Sequence, residues 1–449
     1  MNISTLFKPE KSGPFFKSKI LKSFLKTFQH FFGNFTAFFN GIEDPRILQK
    51  TTYPLPSLFF TGILLFLCRI MAVRQIKFLL HTKEAAKTFS TLFQVDTIPH
   101  GDTVKNTFAM LDPLQVENLI PKAVRILLHK RVFEFGRFKG YYLIAVDGTG
   151  VYVFRERHCE HCLTKEHNGN TIYYHMVLEA KLITRDGFAI SVGSEFIENP
   201  GENPTKQDCE TKAFHRLAEK LKKNFPHLPI MLLLDGMFAE GPVFQRCLDY
   251  HWQFLIVLRD GNLPTVNQEF RNLQSLNPAC RKIVRQDGLV LKHIWINEIS
   301  YRDTQKREFS LNVLELRERD GDKETTYRWI SSLAVSEKDV DEFAKIGRCR
   351  WKIENQGFNC QKNGGFELEH PYSKDTVGMK VFYYMLQIAH LWTQLVERGS
   401  LLRRIVKEGF GALKNIAMRL LEDWRNASIL PDDWDSLEKQ RYRIQFNSS

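Results

Sequence analysis

The spacing of apolar residues along the first third of the chain is that of α-helices. Between residues 46 and 135, apolar side chains recur at intervals of three and four, as in "QVENLIPKAVRILLHKRVF", which predicts amphipathic helices. The longest apolar run, from Leu58 to Cys68, is closed by Arg69 and is too short to span a bilayer. We therefore interpret it as a buried helix within an all-α domain.

The pattern changes to that of β-strands after residue 136. The apolar run "YYLIAV" is followed by Asp147-Gly148, and a later apolar run, "PIMLLL", is followed by Asp235-Gly236. Two strands joined by a turn at residues 185–187 lie between these runs, followed by a helix; a further helix and the strand "WQFLIVL" come after Asp235. This is the ribonuclease H-like order of elements, in which the first and fourth strands lie side by side.

The remaining segments complete an α/β protein. Residues 260–335 alternate like antiparallel strands between charged turns, which predicts a β-rich insertion. Helices return where Ser336 and Asp339 resemble a capping box. The predicted organisation is a Lys/Phe-rich arm (1–45), a helical domain (46–135), the first part of the core (136–259), the insertion (260–335), the completion of the core (336–395) and C-terminal helices (396–449).

Composition and charge narrow the choice of partner. The chain of 449 residues is 43% hydrophobic, which excludes a disordered protein, and it carries a net charge of +12. That surplus suits a polyanion, and double-stranded DNA is the leading candidate. The basic arm has the pattern of a helix that lies on a membrane surface, but a partner protein or a phosphate backbone is favoured over a membrane.

Cysteine usage predicts the cellular compartment. The eight cysteines are spread over the whole chain, as expected of reduced thiols in a cytoplasm. No basic region with an apolar stretch and a cleavage site opens the chain, so we expect neither secretion nor a membrane partner. The helical domain beside the basic arm is a candidate DNA-binding domain.

The two Asp-Gly pairs that follow apolar strands are the candidate chemical groups. One Asp-Gly is often only a turn, but Asp147 and Asp235 stand at corresponding positions of adjacent strands. Two carboxylates there repel each other unless a divalent cation lies between them, and hard oxygen ligands suit Mg²⁺ or Mn²⁺. A third carboxylate would complete such a site.

The segment "RCRWKIENQGFNCQKNGG", which begins at Arg348, supplies that third acid. Arg350 and Lys362 share roughly one helix face with Glu354, a pattern that suits metal binding beside a DNA phosphate. Trp351 and Phe358 are predicted to anchor this helix on the sheet.

These motifs together resemble the DDE transposases of bacterial insertion sequences, over about residues 100–395. In one subgroup the third acid lies in a Tyr, Arg, Glu, Lys signature, to which Arg350 and Glu354 conform. Gly347 stands at the Tyr position, and Gln361 stands at the Lys position with Lys362 next to it.

The resemblance implies a mechanism and a set of site residues. Asp147, Asp235 and Glu354 would hold two Mg²⁺ or Mn²⁺ ions and catalyse strand cleavage and transfer at terminal inverted repeats. A homodimer would hold two transposon ends and the target DNA in a nucleoid-associated complex. Arg350 and Lys362 would contact phosphates. A Trp of the insertion would support a flipped base, although a Trp in a β subdomain more often packs in the core; the candidates are Trp295 and Trp329.

The role of a cysteine motif and the role of two further acids stay open. Cys159 and Cys162 form a Cys-x-x-Cys motif that either binds structural Zn²⁺ or remains a pair of reduced thiols. The motif has further possible ligands near it: His158, His161, His167 and Cys209. Asp208 and Glu210 either support the three acids or replace one of them.

Two other functions fit the same fold. One is a metal-dependent nuclease without strand transfer, and the other is a DNA-binding descendant that has lost catalysis. The three intact acids argue against the latter, and the helical domain and the insertion favour the transposase over a minimal nuclease.

Overall fold

In the computed structural model, the chain folds into a helical unit and a unit built on a β-sheet. The structure describes residues 18–202, 204–286, 288–405 and 413–446. The helical unit comprises residues up to Val132 and from Asn359 onward, and the sheet unit comprises Phe133–Phe358. The α/β class and the N-terminal helical region are therefore confirmed. Residues 1–17 of the predicted arm lie outside the described residues.

Helices dominate the chain before the sheet unit, as the apolar spacing predicts. The apolar run from Leu58 to Cys68 lies largely in helix α3, and its side chains are buried. The α-helices described up to Val132 are α1 (Lys19–Phe32), α2 (Phe35–Phe39), α3 (Leu55–Leu67), α4 (Ile76–Leu79), α5 (Lys83–Phe93), α6 (Gly101–Phe108), α7 (Pro113–Glu117) and α8 (Leu119–His129).

The sheet unit contains one large mixed sheet with helices around it. The described strands are β1 (Tyr142–Phe154), β2 (Leu163–His167), β3 (Asn170–Ile183), β4 (Ala189–Ile197), β5 (Ile230–Leu234), β6 (Gln253–Val257), β7 (Arg281–Gln286), β8 (Leu289–Arg302), β9 (Glu308–Asp320) and β10 (Lys323–Ser331). The described α-helices are α9 (Glu210–Asn224), α10 (Gly241–Asp249), α11 (Pro264–Leu276) and α12 (Val340–Cys349).

The sheet order places the first strand at the centre of the predicted core. The order is β2-β3-β1-β5-β6-β10-β9-β8-β7, and β4 pairs with β3. Strand β1 runs parallel to β5, the fourth strand expected from the sequence, so their predicted adjacency is confirmed. The strand was expected to end at Asp147, which is wrong, because hydrogen bonding to β3 continues β1 to Phe154.

The strands assigned to the insertion extend this same sheet. Strand β10 pairs with β6, with Trp329 opposite Val257, and β9, β8 and β7 follow outward. Helix α11 stands before these strands, although the sequence was interpreted there as β-rich. Its buried Val266 and Phe270 are four residues apart, which is helical spacing.

The segment that carries Glu354 is not one continuous α-helix. Helix α12 ends at Cys349, and Ile353–Phe358 forms a π-helix, a rare geometry that is frequent at functional sites. In the helical unit, α13 (Asn359–Asn363) follows, and Gly365 adopts a φ of +86° beyond its end. The predicted helix stop at residues 363–365 is thus confirmed.

The C-terminal helices enclose helix α1 within the helical unit. They are α14 (Thr376–Arg398), α15 (Ser400–Ile405), α16 (Leu413–Asn426) and α17 (Pro431–Lys439). Helix α1 belongs to the segment predicted as an arm, but its apolar face is buried, with the ring of Phe28 4.7 Å from that of Trp392. No helix in the described ranges is long and apolar enough to cross a membrane.

Candidate active site

The two strand aspartates lie at the same edge of the sheet. Strands β1 and β5 pair in parallel from Tyr142 opposite Ile230 to Ala145 opposite Leu233. The same register, extended by two residues, would place Asp147 level with Asp235. Because side chains alternate between faces with a period of two, Asp147 points to the same side of the sheet as Ala145. The expectation that the fold brings these two acids to one region is therefore supported by the register.

Arg350 connects the first strand to the helix that carries the third acid. Its Nη1 lies 3.2 Å from Oδ2 of Asp147, and its Nη2 donates to Oε1 of Glu354 at 3.0 Å. The guanidinium is buried, and its Nε has no hydrogen-bond partner among the described residues. One buried cation thus holds two of the predicted catalytic carboxylates on either side of it.

A fourth carboxylate, from Glu210, approaches the same place. Glu210 is the first residue of helix α9, and its carboxylate would lie 2.5 Å from a Cβ built on Gly148. Gly148 is therefore required for this approach, because any larger residue would collide with the acid. The sequence left open whether Asp208 and Glu210 support the three acids or replace one of them. The charge of Glu210 acts on Asp147, and that of Asp235 acts on Glu210. Asp208 instead pairs with Arg216 at 2.6 Å.

The electrostatics of the cluster reflect crowded negative charge. Burial raises the pKa of Asp147 to about 6, and the carboxylates of Glu354 and Glu210 add to this rise, while Arg350 opposes it. Burial also raises the pKa of Glu210, and repulsion by Asp235 contributes. The four acids therefore interact with one another directly or through Arg350.

Asp235 is held by a more accessible cation. Nη2 of Arg259 donates to both carboxylate oxygens of Asp235, at 2.9 and 2.7 Å. The side chain of Arg259 is 64% exposed, whereas that of Asp235 is 18% exposed. Arg259 is thus a cation of this site that solvent, or a phosphate, can reach.

A cavity of about 400 Å³ opens beside Asp235 and Arg350. It combines basic and aromatic side chains, a mixture that suits a nucleic-acid ligand. Its lining includes Arg259, Arg328, Arg348, Arg350, Tyr327, Trp329 and Trp351.

The departure of Gly347 from the family signature has a steric cause. A Cβ built on Gly347 would lie 2.5 Å from Cε2 of Trp329, so the indole fills the space in which the signature Tyr would start. Trp329 and Trp295 are both buried in the core of this unit. A base-supporting role for either Trp stays a prediction, and packing is the role seen for both.

The anchoring of the π-helix differs in part from the expectation. Phe358 is buried in the core as predicted, but Trp351 is 51% exposed and lies over the guanidinium of Arg350 at 4.8 Å. Gly357 provides the second contact, because a Cβ there would meet the buried chain of Lys181 at 3.0 Å. Trp351 therefore covers Arg350 instead of fixing the helix to the sheet.

Gln361 and Lys362 belong to the helical unit. Gln361 is completely buried, and its Nε2 donates to Oε1 of Gln387 at 2.7 Å. Nζ of Lys362 pairs with Glu369 at 2.6 Å. The residue at the signature Lys position is thus an internal packing group, and a phosphate contact by Lys362 stays a prediction.

The Cys-x-x-Cys motif lies next to a histidine that the sequence did not indicate as a possible ligand. Cys159 and Cys162 lie together, and His175 of strand β3 joins them. His175 stands 13 residues beyond Cys162, inside a strand, so no local spacing marks it as a ligand.

Comparison with known families concerns the helical unit. Residues 36–122 match the family model described as DDE_Tnp_1-associated, a domain that occurs in DDE transposases. No curated protein matches the chain in a sequence comparison. The match supports a protein related to transposases, whereas the subgroup with the Tyr, Arg, Glu, Lys signature stays a prediction.

The steric role of Gly347 is testable by adding one methyl group. We expect Gly347→Ala to lower the free energy of unfolding by about 1–3 kcal/mol, because the new Cβ overpacks against Trp329. Urea unfolding would measure the change. The matched control is Gly261→Ala, since no atom lies within 4 Å of a Cβ there. Equal effects of the two substitutions would contradict the steric explanation.

The raised pKa of Asp147 predicts a pH-dependent effect of its removal. The folded carboxyl has a pKa of about 6 against an ordinary 3.8, so the folded state binds more protons between these values and loses stability as the pH rises. Without divalent cations, Asp147→Asn should raise the free energy of unfolding at about pH 7.5, by about 1–2 kcal/mol. At about pH 4 or below the gain should disappear.

Urea unfolding at the two pH values measures this difference. Asp249→Asn is the control, because Asp249 is exposed at the end of helix α10. A gain for Asp147→Asn that is the same at both pH values would show that repulsion and burial of its charge are not the cause.

Proposed function

We propose that this protein is a DDE transposase that cuts double-stranded DNA at terminal inverted repeats and joins the released ends to target DNA. The observation that carries the proposal is the linked set of Asp147, Asp235 and Glu354, which come from three separate segments of a sheet unit. The transposase-associated domain in residues 36–122 supports it independently. The strand order of that unit fits a ribonuclease H-like core.

The carboxylates fit Mg²⁺ or Mn²⁺. Burial and mutual repulsion raise the pKa of Asp147 and of Glu210, so the site has an excess of negative charge that a divalent cation would neutralise. Asp147, Asp235 and Glu354, with Glu210 beside them, would hold two such ions through hard oxygen ligands. Bound ions of this kind activate the attacking oxygen and stabilise the leaving oxygen of a phosphodiester.

The arginines of the site divide into two roles. Arg350 is buried and fixes Asp147 and Glu354 relative to each other, so it is a positioning residue. The side chains of Arg259 and Arg348 are 64% and 48% exposed, and both line the cavity beside Asp235. We assign these two to DNA phosphates, which a bidentate guanidinium recognises well. The net charge of +12 favours the same ligand.

Pairing of two transposon ends would require two active sites, so we propose a homodimer in the DNA complex. The same acids would also serve a nuclease that does not join ends. The family match with a transposase-associated domain favours strand transfer over that alternative.

A donor DNA assay tests the proposed reaction. The wild-type protein, with Mg²⁺ and a supercoiled donor that carries the inverted repeats flanking the gene, should yield both cleaved and joined products. Asp147→Ala, Asp235→Ala and Glu354→Ala should each lower the rate by about 100-fold or more. Asp249→Ala is the control, because helix α10 ends at the amino end of strand β6, away from the acids.

Two outcomes would count against this function. Cleavage without any joined product would favour the nuclease. Activity that persists in all three acid variants would remove the catalytic assignment.

Glu210 is tested by cation binding instead of activity. Mg²⁺ should raise the unfolding temperature of the wild-type protein, because a ligand that binds only the folded state stabilises it. Glu210→Gln should weaken this binding by about tenfold, a loss usual for groups that support a metal site. Glu219→Gln, on the same helix but exposed, should leave the Mg²⁺ dependence unchanged. An unchanged dependence for Glu210→Gln would exclude Glu210 from the site.

A further inference from the structure

Two sulfur atoms and one imidazole nitrogen meet where the loop between strands β1 and β2 faces strand β3, apart from the carboxylates. Sγ of Cys159 lies 3.7 Å from Sγ of Cys162, and Nε2 of His175 lies 3.5 Å and 3.4 Å from these two sulfur atoms. Cys162 and His175 are buried. The two thiols are too far apart for a disulfide, whose sulfur atoms are about 2.05 Å apart.

The spacing of the three donors is that of a tetrahedral zinc site. With Zn–S near 2.3 Å and Zn–N near 2.05 Å, tetrahedral angles separate two sulfur ligands by about 3.8 Å and a sulfur from a nitrogen by about 3.6 Å. The observed distances match these values closely. We propose that Cys159, Cys162 and His175 bind a structural Zn²⁺ ion, with His158 as the fourth ligand. Binding releases the two thiol protons to solvent.

His158 is chosen because it has an unused buried nitrogen next to the site. Its Nε2 is buried and has no hydrogen-bond partner among the described residues. Its ring stacks on Phe154 at 4.3 Å, and the ring centre lies 6.3 Å from that of His175. As the fourth ligand, reached by rotation of its side chain, His158 would complete a Cys₂His₂ set.

The other candidates near the motif are less suitable. His161 is less suitable because its Nε2 already faces Oε1 of Glu160 at 3.6 Å. Cys209 is exposed at the start of helix α9 and does not belong to the group of three donors. His167 is exposed at the end of strand β2.

Hydrogen bonds connect the loop that carries Cys159 and Cys162 to the segment before helix α9, so a metal ion in this loop would have a structural role. Nδ2 of Asn199 donates to the carbonyl of Cys162 at 2.8 Å, and the side chain of Gln207 bonds to both backbone groups of Thr164. The backbone N–H of Asp208 in turn donates to Asn199. A metal that fixes the Cys loop would thereby fix the segment that leads into helix α9 and Glu210.

Metal analysis of the purified full-length chain tests the proposal without any DNA reaction. We expect about one Zn²⁺ per chain, and after exchange to Co²⁺ we expect the absorption bands of a tetrahedral site with two thiolate ligands. Cys162→Ser and His175→Ala should abolish binding, and His158→Ala should weaken it by about 100-fold. Cys209→Ser is the control that should leave both the metal content and the spectrum unchanged.

Circular dichroism of each variant separates loss of a ligand from loss of the fold. For the wild-type protein, a chelator should remove the ion and lower the unfolding temperature, which re-added Zn²⁺ should restore. A folded wild-type protein that binds neither Zn²⁺ nor Co²⁺ would overturn the site. A full effect of Cys209→Ser, or none of His158→Ala, would overturn the choice of the fourth ligand. Neither result depends on whether the chain cuts DNA.

Discussion

The interaction on which the candidate site depends is the contact of one buried guanidinium with two carboxylates. Arg350 lies between Asp147 of strand β1 and Glu354 of the π-helix. A buried charge is costly unless it is paired, so the guanidinium of Arg350 stabilises the two carboxylates, which by themselves repel each other. Because the π-helix packs on the sheet through Phe358 and over Lys181 at Gly357, the ion pairs and the packing fix the same geometry.

The extended sheet supports this arrangement from the other side. Strand β10 pairs directly with β6, and this pairing places Trp329 next to helix α12. Its indole fills the space beside Gly347. That contact sets how close α12 approaches, and Arg350 follows this helix immediately. Gly347 therefore leaves room for a tryptophan that comes from a different strand.

The loop with Cys159 and Cys162 connects to the acids through hydrogen bonds. Asn199 and Gln207 join this loop to the residues before helix α9, and the first residue of that helix is Glu210. A metal ion at the cysteines and cations at the carboxylates would thus act on neighbouring parts of one unit, the first as a structural support and the second in the proposed chemistry.

The sequence by itself determined the periodic elements and the acids that follow from them. Local spacing was sufficient to identify the buried helix α3 and the pair Arg350 and Glu354, because each is a matter of period or of residues four apart. The adjacency of β1 and β5 was expected from the order of the elements along the chain. The tertiary structure decided the rest. The continuation of β1 past Asp147, the approach of Glu210 to Gly148, the packing of Trp329 on Gly347 and the meeting of His175 with the cysteines all join residues distant in sequence. Such contacts depend on strand pairing and on which side chain fills a given space, and neither leaves a signal in local spacing.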